Sequence, residues 1–146
     1  MGIVINSRTL SAKQLLRLTP PIILCVGRLD FEKEIADSGY RTTNLNLPLS
    51  RLLAGYSLRE IQSALTDKVW DVLPQSEPVY LADYEMLFDP RYELDVLRLF
   101  IEIARRNKLI AKWCGTLGGD ALIYAEAGYA DFKRYNISDY DVVIVK

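Results

Sequence analysis

"IILCVGRLDFEKEI", residues 22–35, is the stretch from which the rest of the chain can be ordered. Its first half is a continuous apolar run of strand length, the pattern of a strand covered on both faces. Gly27 follows, and "FEKEIADSGY" (31–40) has a helical composition that closes on Gly39 as a C′ residue. The next run, "RTTNLNL" (41–47), alternates with period 2 and predicts a second strand. A buried strand, a helix and another strand in this order form a βαβ unit, whose two strands lie parallel.

The same alternation continues in both directions. "SAKQLLRL" (11–18) opens on Ser11, suited to an N-cap, and predicts a short amphipathic helix stopped by Pro20 and Pro21. Residues 48–72 predict two helices broken near Gly55 and Tyr56, the second headed by a capping box of Ser57 and Glu60. "VYLAD" (79–83) is a third strand. "DPRYELDVLRLFIEIARRN" (89–107) predicts one long helix, capped by Asp89, with Leu94, Leu97, Phe100, Ile101 and Ala104 on one face. "KLIAKWCG" (108–115), a short "DALIYAE" (120–126) and the terminal "YDVVIVK" (140–146) predict further strands, and "GTLGGD" (115–120) predicts a hairpin turn. Strands alternating with helices imply an α/β fold with a mainly parallel sheet in a single domain spanning residues 1–146.

Composition narrows the chemistry. The chain has 146 residues, a formal net charge of −1 and no histidine. Imidazole general bases, Ser-His and Cys-His nucleophile pairs and most zinc sites are therefore excluded, leaving carboxylates, lysine, arginine, tyrosine or a metal held by oxygen. The two cysteines, Cys25 and Cys114, sit in apolar runs and are expected to be reduced core residues. No apolar run approaches the roughly 20 residues needed to span a bilayer, and the N-terminal residues lack a signal-peptide core, so a cytoplasmic protein is expected.

Ligands of open α/β sheets bind at the carboxyl ends of the strands, which directs attention to Gly27, Asp83 and the turn from Trp113 to Thr116. Set against the phosphate-loop pattern G-x-x-x-x-G-K-[ST], Gly27 and Lys33 fit, whereas Glu32 replaces the second glycine and Glu34 the magnesium-binding hydroxyl. Carboxylates beside a triphosphate would each repel it by about 1 kcal/mol at 4 Å even in water, and Asp30 adds a third. Lys33, between two glutamates, reads either as a phosphate ligand or as a surface helix residue. Asp83 at its strand end is the candidate metal ligand, with Glu85 as the second acid of a catalytic pair, both facing the cleft if the backbone stays extended. The competing reading makes them the start of a solvated loop. Trp113 and Thr116 read as nucleotide-sensing residues or as core. Arg51, Arg59, Arg105 and Arg106 offer a route to DNA phosphates.

Gly27 with Lys33, the strand ending in Asp83, and "LIAKWCG" together resemble the core of P-loop ATPases with a decayed Walker A motif. More specifically, "NLNLPLSRLLAGYSLRE", "LADYEMLFDPRYELDVLRLF", "WCGTLGGDALIYAEAGYADFKRY" and "DVVIVK" resemble the small P-loop proteins of type 3 BREX phage-defence systems, the BrxF family, over most of the chain. The resemblance implies a minimal RecA-like or AAA-like core, an α/β three-layer sandwich around a mainly parallel, five-stranded sheet without a lid domain. It also implies a bacterial accessory subunit that works beside a larger ATPase and other subunits of a defence complex. A homo-oligomer, indirect contact with DNA and weak binding of ATP and magnesium are compatible with it. A slow ATPase completed by a partner and a DNA-binding accessory factor are the alternatives.

Overall fold

The computed structural model describes all residues from Met1 to Lys146. Its strands are β1 (Ile3–Ile5), β2 (Ile22–Leu24), β3 (Arg41–Asn44), β4 (Val79–Ala82), β5 (Leu109–Lys112), β6 (Thr116–Gly118), β7 (Ala121–Tyr124), β8 (Lys133–Asn136) and β9 (Val143–Val145). The α-helices are α1 (Ala12–Leu15), α2 (Leu29–Asp37), α3 (Asn46–Leu53), α4 (Leu58–Val72) and α5 (Val96–Ala104). Six strands form one sheet in the order β1-β9-β2-β5-β4-β3, with every neighbouring pair parallel.

The order of the strands explains which face each helix covers. The steps from β1 to β2 and from β2 to β3 run one way across the sheet, and those from β3 to β4, β4 to β5 and β5 to β9 run the other way. Crossovers between parallel strands are right-handed, so the two sets must cover opposite faces. Accordingly, Leu15 of α1 with Phe31 and Ile35 of α2 form one core, against Ile22, Leu24, Tyr80, Ile110, Val143 and Val145. Buried residues of α3, α4 and α5 form the larger core on the other face, against Ile23, Val79, Leu81, Leu109, Ala111 and Ile144. Successive residues of each strand thus serve opposite faces, as the pleat requires, and α/β layering holds.

Four expectations are corrected. The parallel sheet has six strands, because "IVI" near the N-terminus pairs with β9. A Cβ on the preceding Gly2 would stand 2.3 Å from the Ile137 carbonyl oxygen, so the close approach of this edge requires glycine. The "DALIYAE" strand lies outside the main sheet: β7 is the middle strand of an antiparallel sheet, β6-β7-β8, that takes the place of a crossover helix between β5 and β9. The expected strand 41–47 ends at Asn44, and its last residues open α3. The helix over 89–107 is confined to Val96–Ala104, because Glu93 takes a left-handed conformation (φ 52°) that an L-residue helix cannot continue through. Asp89 caps only the 3-10 turn Pro90–Tyr92, and Asp95 caps α5 by accepting from the Arg98 N–H at 3.1 Å. The capping boxes at Ser11 and Ser57 form, the hairpin turn lies between β6 and β7, and Gly39 ends α2 at φ 85°.

Candidate functional site

The carboxyl ends of β2, β5 and β4 lie side by side on one edge of the sheet, and the residues singled out by the sequence cluster there. At β2, the Cys25 N–H still donates to Val145 at 2.8 Å, and α2 starts at Leu29. Only Cys25 to Arg28 separate strand from helix, so the chain makes no wide loop. Gly27 is exposed, has open space where a Cβ would stand and is not in a left-handed conformation, so nothing in the backbone requires glycine there. Glu32, Lys33 and Glu34 all lie inside α2. Lys33 is exposed on the helix surface, while Glu32 faces the sheet and accepts from the Tyr80 hydroxyl at 2.7 Å.

The first turn of α2, where a phosphate would sit, carries an ion pair made within the chain. Asp30 forms a fork with Arg28, accepting from Nε at 2.9 Å and from Nη2 at 2.5 Å. Its carboxyl is held below the usual range, first by the Arg28 hydrogen bond, with the backbone N–H groups of Phe31 and Asp30 lowering it further. Arg28 also donates to the carbonyls of Ser7 (2.6 Å) and Leu10 (3.2 Å) and lies over the Phe31 ring. The one cation in this loop therefore ties the N-terminal segment to α2.

At β4, Asp83 adopts a left-handed conformation (φ 48°) and its carbonyl accepts from the Asn46 N–H at 2.6 Å. Turning there ends the extended alternation, so the expectation that Asp83 and Glu85 project together from a strand is corrected. Asp83 is exposed, whereas Glu85 opens a 3-10 turn, Glu85–Phe88, and accepts from Asn46 Nδ2 at 2.7 Å. Asn46 Oδ1 accepts in turn from the Met86 N–H, so this asparagine clamps the turn against α3. Nothing in the spacing of the sequence marked it. Tyr84 between the two acids is fully buried, packs on Phe88 and Phe100, and donates its hydroxyl to the Lys112 carbonyl at 2.6 Å. It bridges the ends of β4 and β5. No group of three or more His, Cys, Asp or Glu side chains stands close enough together to enclose a metal ion, Asp83 and Glu85 included.

Trp113 is a core residue: it is 7% exposed, packs edge-on to Phe88 and Tyr135, and donates its indole N–H to Thr116 at 3.1 Å. Thr116 is exposed at the start of β6. Burial pushes the Cys25 thiol up to about 12 and the Cys114 thiol up to about 11, so both are unreactive thiols at neutral pH.

The arginines do not form one surface. Arg59 lies in the first turn of α4, whereas Arg106 stacks over Trp70 near that helix's last turn, its Cζ 4.8 Å from the ring centroid. Eleven residues of helix place these ends about 16 Å apart. No helix is long and apolar enough to cross a membrane. Comparison with protein-family models, with curated proteins and with solved structures finds no match to this chain.

Proposed function

We propose that the protein is a P-loop-type α/β subunit without an ATP-hydrolysing site, acting as an accessory component of a bacterial anti-phage assembly beside an active ATPase. The observation that carries the first part is the direct passage of β2 into α2. Backbone amides that would cradle phosphates are instead helical, and Asp30 and Glu32 place carboxylates in the first turn of that helix. The sensor-position strand β5 lies between β2 and β4 with all three carboxyl ends on one edge, which supports a P-loop-type lineage. The anti-phage setting rests on the resemblance of the sequence phrases to the BrxF family.

Isothermal titration with ATP and magnesium tests the reading. No heat of binding that depends on Lys33 is expected up to millimolar ATP. Micromolar binding that disappears in Lys33→Ala would overturn it. For the cellular setting, deleting the gene from a phage-resistant host is expected to restore plaque formation, and unchanged resistance would remove the defence assignment while leaving the titration result in place.

A further inference from the structure

The opposite edge of the sheet, at the amino ends of β4 and β5, carries a pocket unrelated to the strand ends described above. A cavity of about 340 Å³ is bounded by Trp70, Asp71, Gln75, Ser76, Arg106 and Asn107. Its wall is fixed: Asn107, 3% exposed, donates its side-chain amide to the carbonyls of Pro74 (2.8 Å) and Glu77 (2.9 Å). Between those two carbonyls Ser76 is held at φ 57°, a conformation that a non-glycine residue keeps only when its surroundings impose it. Trp70 is half-buried, and the Arg106 guanidinium covers its ring from the neighbouring helix. Arg106 therefore presents a flat, charged surface at the pocket, held in place by the indole beneath it.

One carboxylate, Asp71, and one cation, Arg106, line the pocket, and Arg105 and Lys108 flank it on either side of Arg106 and Asn107. Arg105, Arg106 and Lys108 are all exposed, and none forms a salt bridge. The nearby acids are engaged elsewhere, Asp71 with Lys68 at 3.6 Å and Glu77 with Arg41 at 3.2 Å. Glu102, one turn back on α5, makes no ion pair with the arginines either. Two cations at a helix C-terminus would complement its dipole without any ligand. Lys108, however, lies beyond the helix, and Arg106 is spent on stacking across to α4.

We propose that this pocket binds a nucleoside phosphate, with the base stacked on the Arg106–Trp70 pair and the phosphate on Arg105 and Lys108. Planar bases stack on guanidinium planes and aromatic rings alike, and a groove of cations beside such a platform is how sequence-independent single-strand binders are built. The cavity is of the size that holds a small ligand. The chemistry has two sources, a nucleotide within single-stranded nucleic acid or a free mononucleotide, and the lone stacking platform beside several open cations favours the strand.

Anisotropy of a labelled twelve-residue oligothymidylate, titrated with the full chain, decides between these. Binding is expected in 20 mM salt and is expected to weaken about 25-fold in 200 mM salt if two phosphates are neutralised. Arg106→Gln is expected to weaken it about tenfold through loss of the stack. Arg105→Gln/Lys108→Gln, two exposed positions that carry little risk to folding, is expected to flatten the salt dependence. Arg51→Gln/Arg59→Gln, in the last turn of α3 and the first turn of α4, should leave binding within about twofold of the parent. Displacement of the oligonucleotide by submillimolar TMP identifies the free mononucleotide as the ligand, and resistance to it identifies the strand. No binding in 20 mM salt, equal binding by the Arg106 and Arg105/Lys108 variants, or equal competition by polyglutamate of matched charge would overturn the proposal.

Discussion

The Tyr80 hydroxyl donates to the Glu32 carboxylate across 2.7 Å, joining the centre of α2 to β4 on the smaller face of the sheet. The residue standing where a phosphate loop has its second glycine is therefore a structural acceptor under a helix. Tyr80 is 6% exposed, and removing its acceptor strands a buried hydroxyl. A hydrogen bond to a charged group contributes about 1.5–3 kcal/mol. A double-mutant cycle of Tyr80→Phe and Glu32→Ala, read by urea denaturation, is expected to return a coupling in that range. Additive losses would show that the two residues do not support one another.

Gly115 joins β5 to the small antiparallel sheet, and a Cβ there would stand 1.9 Å from the Ile123 carbonyl oxygen. Backbone cannot yield as a flexible side-chain tip does. Gly115→Ala is thus expected to lower stability by about 1–3 kcal/mol or more, with the near-ultraviolet signal of the neighbouring Trp113 reduced. Gly27→Ala, where the space is open, serves as the comparison and should stay within about 0.5 kcal/mol of the parent. Equal stabilities for the two variants would contradict the packing described.

Both thiols ionise with more difficulty in the folded chain than in the unfolded one, where they titrate near 9.0. Desolvation raises Cys25 to about 12 and Cys114 to about 11. Because the folded pKa values lie above the unfolded ones, the folded state holds protons that the unfolded state releases. Their contribution is complete below pH 9 and is lost as pH climbs towards 11 and 12. Tyr140, pushed up to about 12 by burial and by its hydrogen bond to Asp95, adds to the decline above pH 10. Urea midpoints are expected to hold between pH 7.5 and 8.5 and to fall between pH 9 and 11. Cys25→Ala/Cys114→Ala should flatten the early part of that fall, and a parent midpoint that does not fall across the window would rule the linkage out.

Some of this was legible in the sequence for definite physical reasons. The continuous apolar run "IILCVG" has the length and β-branched content of a strand buried on both faces, and Ser57 with Glu60 announces a helix by satisfying its first amides. The failures also have causes. "DPRYELDVLRLF" carries an Asp-Pro start signal, but the left-handed Glu93 separates that start from the helix proper. Residues 3–5 are too few to show a periodicity, and their partner strand β9 lies at the far end of the chain. At the site, Gly27 lies in the connection after β2, but spacing does not reveal where a helix begins. That Glu32 and Lys33 lie within α2, that Tyr84 closes the gap between β4 and β5, and that Asn46 holds Glu85 are all consequences of tertiary packing.

Glu32→Gly/Glu34→Ser supplies the sharpest test of that last distinction, because it completes the pattern G-x-x-x-x-G-K-[ST] from Gly27 onward without changing any other residue. If sequence pattern alone made the site, the double variant would bind ATP. In this fold the segment from Leu29 is committed to α2, whose Phe31 and Ile35 are buried in the core. Opening a phosphate loop would withdraw Phe31 from that core, and a buried phenylalanine contributes about 1.5–3 kcal/mol. The variant also loses the Tyr80 hydrogen bond and places glycine in a helix interior, at about 1 kcal/mol relative to alanine. It is therefore expected to be less stable than the parent by about 2–4 kcal/mol and to give no more heat than the parent on titration with ATP and magnesium. Micromolar ATP binding by a folded double variant would show that α2 can unwind at its N-terminus to form the loop, and that the two glutamates alone keep the nucleotide out.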